Sequence, residues 1–397
     1  MRVLLITKKL PFPARDGETI ALTNMLDHYK AIGATLTVMS MQTPKHPYGT
    51  ENIPESYSHV SFHVVNVAME SPRWRYFSNL FSRQPIHVER FYQPSFAKAL
   101  EALLSSSDFD IIQLEGLVLL SYLPIIRKAS KARVIYRSHN VEGLIWQRLS
   151  GSSKGLFFRW YYNLQGRRLW RWERENFDTA DAVLAISRDD ADTYSKWNPR
   201  FSVSYLPVSM PAIPESNSGP IPTSAAFIGA LDWLPNRNGL ERYLQDAWPG
   251  VVEAMPEATL HIAGRHAPDN WPAVLPPGVI WHGEVENAHA FMQQYAVVVV
   301  PLWAGSGLKI KVVEAIAAGI PVVTTPVGAE GLPEGAAALL QVGNTSKELA
   351  AVTIACLQEP DKARAQAEQL RAFVRKDLSA SAVQATLLQC ITQWSDR

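Results

Sequence analysis

Residues 297–326 read VVVVPLWAGSGLKIKVVEAIAAGIPVVTTP, and this stretch decides the fold. The run 297–300 is four valines, the continuous β-branched pattern of a strand covered on both faces of a parallel sheet. Gly305 and Gly307 break the chain into a turn where the backbone can approach a ligand closely. Helical spacing begins at Ile310, and a helix starting there points its first N–H groups back at the turn. Residues 322–324 then form a second buried strand. Strand, glycine turn, helix and strand describe a phosphate-binding turn at the C-terminal end of a parallel strand, where open α/β sheets hold their ligands. Lys309 and Lys311 bring positive charge to the same place.

Glu314 falls on the apolar stripe of that helix, with Ile310, Val313 and Ala317. A carboxylate there needs hydrogen-bond donors to offset its desolvation. Two sources fit: the ribose hydroxyls of a nucleotide whose phosphates sit one turn earlier, or an ion pair with Lys311 three residues away.

Outward from this stretch, the same rhythm fills the chain. Strand patterns lie at 3–6, 36–40, 61–65, 111–114, 134–137, 182–186 and 203–205, then at 225–228, 259–262, 279–281, 297–300 and 322–324. Helical patterns separate most of them, so each half reads as a doubly wound parallel sheet. At 397 residues the chain exceeds the roughly 250–300 at which single cores stop growing. The proline-rich, aperiodic stretch 207–223 divides it. The expected domains are 1–206, a linker 207–223, 224–375, and a closing helix 376–397 that packs back on the first domain.

Composition excludes several classes. Lys plus Arg number 38 against 37 Asp plus Glu, so a globally charge-driven nucleic-acid binder is not expected. Cys356 and Cys390 form no CxxC, which points away from metal clusters and disulfide frameworks and towards a reducing cytoplasm. The apolar run at 1–7 is too short for a secretory leader, and no run reaches the roughly 18 residues of a spanning helix.

The set Gly305-Ser306-Gly307-Leu308-Lys309-Ile310-Lys311-Val312-Val313-Glu314-Ala315, closed by Gly319-Ile320-Pro321-Val322-Val323, resembles the nucleotide-sugar signature of retaining glycosyltransferases of the GT-B fold, family 4. Phe227-Ile228-Gly229 with Pro235-Asn236 resembles the opening of that family's second domain. Ile262-Ala263-Gly264, Trp281-His282-Gly283 and Pro301-Leu302 follow in the family's order. Ser138-His139-Asn140-Val141-Glu142 resembles its active-site histidine segment, so the resemblance spans most of the chain. It implies an α/β GT-B architecture: two Rossmann-like doubly wound parallel-sheet domains with an interdomain cleft.

The resemblance also implies roles. Glu314 binds the donor ribose, and Gly305, Ser306, Gly307 and Leu308 hold the diphosphate from the turn. Gly229 and Gly264 line the donor site, and His139 lies against the donor sugar near its 6-position. In the loop 8–17 the family's glycine pair resembles Asp16-Gly17; Gly17 is the donor contact, while Asp16 reads equally as the N-cap of the next helix. Three departures stand out. Ser306 replaces a second glutamate, and Ala230 and Asn236 replace a basic pair that clamps the diphosphate. Lys309 is the expected substitute, with Arg237 second.

Two further features remain. Residues 156–177 interleave Phe157, Phe158, Trp160, Tyr161, Tyr162, Trp170, Trp172 and Phe177 with five arginines, which suits a helix bridging core and surface or a peripheral contact with a membrane's inner face. Asp189, Asp190 and Asp192 follow Ser187 in a capping-box-like helix start, so no metal site is expected.

The function expected is transfer of a sugar, with retention and without a metal or other cofactor. A nucleoside-diphosphate sugar is the co-substrate and a glycan or lipid-linked hydroxyl the acceptor, in polysaccharide or glycoconjugate synthesis. The alternatives are a sugar-nucleotide epimerase or hydrolase of the same fold, and a non-catalytic nucleotide- or glycan-binding protein.

Overall fold

The structure is a computed structural model that describes residues 1–69, 78–79, 81–82, 84–152, 155–214, 219–267, 271 and 275–395. The chain forms two compact units, Met1–Val208 with Ala380–Arg397, and Ser209–Ser379.

The first unit holds a seven-stranded sheet in the order β3-β2-β1-β4-β5-β6-β7. Its strands are β1 Arg2–Thr7, β2 Thr35–Gln42, β3 Ser61–Asn66, β4 Ile111–Glu115, β5 Arg133–Ser138, β6 Ala182–Ala185 and β7 Val203–Tyr205. Every adjacent pair is parallel. Both faces are covered, which is why the central strands are apolar without alternation. One face packs on Phe96, Leu100, Tyr122, Leu169 and Phe177. The other packs on Met25, Tyr29 and the closing helix Ala380–Ser395, which contributes Val383, Leu387, Ile391 and Trp394.

The second unit has six strands in the order β10-β9-β8-β11-β12-β13. These are β8 Ile221–Ile228, β9 Thr259–Ala263, β10 Val279–Gly283, β11 Tyr295–Val300, β12 Val322–Thr324 and β13 Gln341–Val342. All are parallel. β8 begins at Ile221, which pairs with Tyr295, so the sheet reaches into the proline-rich stretch; residues 215–218 of that stretch lie outside the described residues.

The helix Pro360–Leu378 ends where Ser379 turns extended, and the closing helix begins at Ala380 and runs to Ser395. Met210 N–H donates to the Leu378 carbonyl at 2.6 Å. The two places where the chain leaves the second unit therefore lie side by side.

In each sheet the strand order reverses once, between β1 and β4 and between β8 and β11. The crevices outside those strand ends are where this topology places ligands.

Candidate functional site

In the second unit the glycine turn follows β11, on one side of the reversal. Gly305 and Gly307 have φ of 143° and 67°, conformations that side chains rarely adopt. The helix Ile310–Ala317 starts directly after, and no side chain caps it, so its first N–H groups face the turn. Ser306 and Leu308 are buried. Lys309 is buried as well, and its Nζ donates to the Gly307 carbonyl at 2.5 Å and lies 3.9 Å from Glu330. It braces the turn from within. Gly331 supports the turn from behind, since a Cβ there would stand 2.7 Å from the backbone of Leu308.

Glu314 sits in the middle of that helix, buried, and its Oε1 is 2.9 Å from His289 Nε2. The hydrogen bond raises the His289 pKa above its usual value, against the opposing effect of burial. The ion pair between Glu314 and Lys311 does not form. Lys311 instead donates to the Ile228 carbonyl at 3.0 Å and to Asn236 Oδ1 at 2.7 Å. Its Nζ rests 5.0 Å from the centre of the Phe227 ring. Gly229 gives it room, because a Cβ there would be 2.7 Å from the ammonium. Gly264 packs behind: a Cβ would meet the Gly229 carbonyl at 2.4 Å. Arg237 is half-buried in the first turn of the helix Leu234–Asp246. Gly229, Asn236, Lys311 and the 305–309 turn thus gather around the ends of β8 and β11.

In the first unit His139 follows β5 directly. Its Nε2 lies 2.6 Å from Glu115 Oε2, at the end of neighbouring β4. Glu115 is buried, and its other oxygen accepts from Gln113 Nε2 at 2.5 Å, whose own Oε1 accepts from Tyr29 at 2.6 Å. The histidine is thereby fixed in orientation by a chain of buried polar groups, the arrangement that sets a tautomer. Behind the loop, Tyr194 donates to Glu173 Oε1 at 2.6 Å and Gly143 N–H to Glu173 Oε2 at 3.2 Å. Burial pushes the Glu173 carboxyl up to about 8.

Asp16 caps the helix Gly17–Ala31 through the Thr19 N–H, and Lys9 binds its carboxylate at 2.8 Å. Gly17 is that helix's first residue. Glu18 is pushed up by burial, yet the charges of Lys8, Lys9 and His139 hold it below the usual carboxylate range. Lys8, Lys9 and Glu18 therefore form a charged cluster beside His139.

The helix Leu156–Asn176 divides its aromatics. Leu169 and Phe177 are buried, and Trp170 packs on Trp197 at 4.9 Å. At the opposite end Leu156, Phe157, Phe158 and Trp160 are 82%, 64%, 54% and 51% exposed, so the tip and not the whole helix is free of the core. Ser187 caps the helix Arg188–Trp197 through the Asp190 N–H. Among the described residues no group of three or more His, Cys, Asp or Glu could hold a metal, and no helix is long and apolar enough to cross a membrane.

The sequence alone did not single out Glu115, Glu173, His289 or Gly331. Glu115 left one signal, a carboxylate ending a buried strand that is apolar but for Gln113.

Family models match both units of the chain. The model for glycosyl transferases group 1 matches residues 222–359, and that for a glycosyl transferase 4-like domain matches residues 20–208. An uncharacterized 44.6 kDa protein in the cps region of Klebsiella pneumoniae is 21% identical over 343 residues, 83% of this chain and 84% of that protein. Sucrose-phosphate synthase from Thermosynechococcus elongatus has a similar structure, with a TM-score of 0.69 at 16% identity over 99% of both chains. TarM of S. aureus, solved with UDP, gives 0.69 at 8% identity over 98% of this chain and 99% of its own. HepE of Anabaena, solved with UDP and glucose, gives 0.64 at 13% identity over 98% and 99%. With one model on each unit and two parallel-sheet domains of the GT-B kind, the chain belongs to the group 1 glycosyl transferases.

Proposed function

We propose that this glycosyltransferase moves a sugar from a nucleoside-diphosphate sugar to a hydroxyl acceptor, with retention, in polysaccharide or glycoconjugate synthesis. The observation that carries the donor reading is the turn 305–309: two glycines with positive φ, an uncapped helix start and a buried carboxylate one turn on. Backbone amides preorganised there stabilise the charge that develops on a leaving diphosphate. Glu314, oriented by His289, accepts from ribose hydroxyls, and His139 orients a sugar hydroxyl. Gly229, Gly264 and Arg237 complete the donor surface of the second unit in this reading. UDP in the TarM structure and UDP with glucose in the HepE structure support it, as does the cps-region location of the Klebsiella relative.

The test is acceptor-dependent release of nucleoside diphosphate from a sugar nucleotide. UDP, GDP and ADP are first compared by thermal shift, where binding at 100 times Kd adds about 2.7 kcal/mol. No shift with any of them, in a folded sample, overturns the donor reading.

A second reading of the stereochemistry is favoured by the His139–Glu115 contact. A histidine held by a buried carboxylate is built to accept a proton. Were Nδ1 to take the acceptor's proton while its oxygen attacks C1 opposite the leaving diphosphate, the product would be inverted. NMR of the new anomeric centre separates the two.

The exposed tip at 156–160 supports peripheral contact with a membrane's inner face, where a lipid-linked acceptor would lie. Between Glu142 and Glu173 the sequence has no acidic residue and several arginines, among them Arg148, Arg159 and Arg167. That charge balance suits an anionic lipid surface.

A further inference from the structure

The notable feature of Lys311 is the company it keeps. Its half-buried side chain sets the ammonium against two neutral acceptors, the Ile228 carbonyl and Asn236 Oδ1. No carboxylate lies within salt-bridge distance of it among the described residues. Burying a cation without a counter-charge is costly, and here burial pushes the lysine down to about 7, opposed only by the charge of Glu314 on the same helix. Glu314 is itself engaged by His289. Lys309, by contrast, is turned inward on Gly307 and Glu330.

The place matters as much as the state. Ile228 is the last residue of β8, so the ammonium stands at the strand-order reversal beside the glycine turn. Asn236 is oriented for this contact, because its Nδ2 donates to the Ala230 carbonyl at 2.9 Å while its Oδ1 takes Lys311. Ala230, Asn236 and Lys311 therefore act as one set. Asn236, one of the two positions that lack the expected basic residues, accepts from a lysine arriving from another helix, and the backbone of the other, Ala230, orients that asparagine.

We propose that Lys311 is the residue that compensates the diphosphate charge of the bound donor, with Asn236 and the Ile228 carbonyl holding it in place before the donor arrives. This rests on the nucleotide-sugar reading above. An ammonium whose partners are neutral gains a charged partner on binding, and charge-assisted hydrogen bonds in such a site are the strong ones.

The proposal makes a rescue prediction. The Asn236 side chain reaches within 2.7 Å of the Lys311 ammonium, so a lysine at position 236 can supply the same charge from the neighbouring helix. Affinity for UDP, GDP and ADP is measured by calorimetry on the wild type, Lys311→Met, Lys309→Met and the double variant Lys311→Met with Asn236→Lys. For whichever diphosphate the wild type binds, Lys311→Met weakens binding about 10- to 100-fold, Lys309→Met weakens it less, and the double variant restores most of the loss. A merely structural lysine would show no rescue by charge at 236.

Wild-type binding with an unchanged Lys311→Met variant overturns the Lys311 assignment and leaves the donor reading standing. A folded double variant that still fails to bind also overturns it. Should Lys311→Met be too unstable to assay, the double variant decides alone. If the wild type binds none of the three, the donor reading falls and this assignment falls with it.

Discussion

His139 Nε2 meets Glu115 Oε2 at 2.6 Å across neighbouring strand ends. That contact commits one ring nitrogen and turns the other away from the buried carboxylate. Removing the imidazole by His139→Ala should lower turnover by about 10²- to 10⁴-fold if the ring handles a proton or a reacting hydroxyl. Glu115→Gln keeps the shape but can return a donor instead of an acceptor, so the ring flips or tilts. Its signature is a changed pH profile of kcat/KM and altered histidine nitrogen shifts by NMR, with an unchanged fold. An unaltered pH profile and spectrum in Glu115→Gln would remove the positioning role.

Glu173 supports the same loop from the helix Leu156–Asn176, and its protonation links loop structure to pH. Burial, the largest influence, and the charges of Glu142 and Asp190 push its carboxyl up to about 8, while hydrogen bonds from Tyr194 and Gly143 pull it down. In the unfolded chain it titrates near 4.5. Between those values the folded state holds a proton that the unfolded state has lost, so stability falls as pH rises from about 4.5 to 8. Urea unfolding of the wild type at pH 5.5 and 8 should show that loss, and Glu173→Gln should show much less of it. Equal pH slopes for the two proteins would mean that Glu173 is ionised in the fold.

The sheets were legible because their strands are runs of Val, Ile, Leu and Ala bounded by turn residues, and such runs have few alternatives. β13 escaped because it is two residues, Gln341–Val342, with a polar lead. The helix break at Ser379 escaped because neither glycine nor proline marks it. In the candidate site, His139, Glu314 and the glycine turn could be read from local spacing and resemblance. Their partners could not. Glu115 is 24 residues from His139, His289 is 25 from Glu314, and Asn236 is 75 from Lys311. Only the sheet topology brings those residues together, which is why local spacing offered Lys311 as one of two sources of donors for Glu314 and did not offer His289.

Gly331 tests the turn without touching the ligand surface. A Cβ there would press on the backbone of Leu308 at 2.7 Å, and its φ is 84°. Gly335 has a similar φ of 89°, but its Cβ would meet only the Phe373 ring, at 3.3 Å. Both Gly331→Ala and Gly335→Ala should lose about 1–3 kcal/mol of stability from the strained backbone. Only Gly331→Ala should also weaken nucleoside-diphosphate binding, by roughly tenfold if the 305–308 amides move by a few tenths of an ångström. Equal affinities in the two variants would show that the turn tolerates the shift or does not hold the diphosphate.

The exposed tip gives the last prediction. Phe157, Phe158 and Trp160 stand more than half exposed at the start of a helix whose buried face is Gln165, Gly166, Leu169 and Glu173. Replacing Phe157 and Trp160 with serine therefore removes surface apolar area without opening the core, and the melting temperature should hold. If the tip seats in a membrane interface, the wild type should float with vesicles containing anionic lipid and bind zwitterionic vesicles weakly, since arginines and apolar rings act together there. The double variant should lose most of that binding, while its transfer to a short water-soluble acceptor stays unchanged. Activity on a lipid-linked acceptor in vesicles should fall in step with binding. Wild-type protein that ignores anionic vesicles, or a variant that binds them as well as the wild type does, would assign the tip to a protein partner or to no partner.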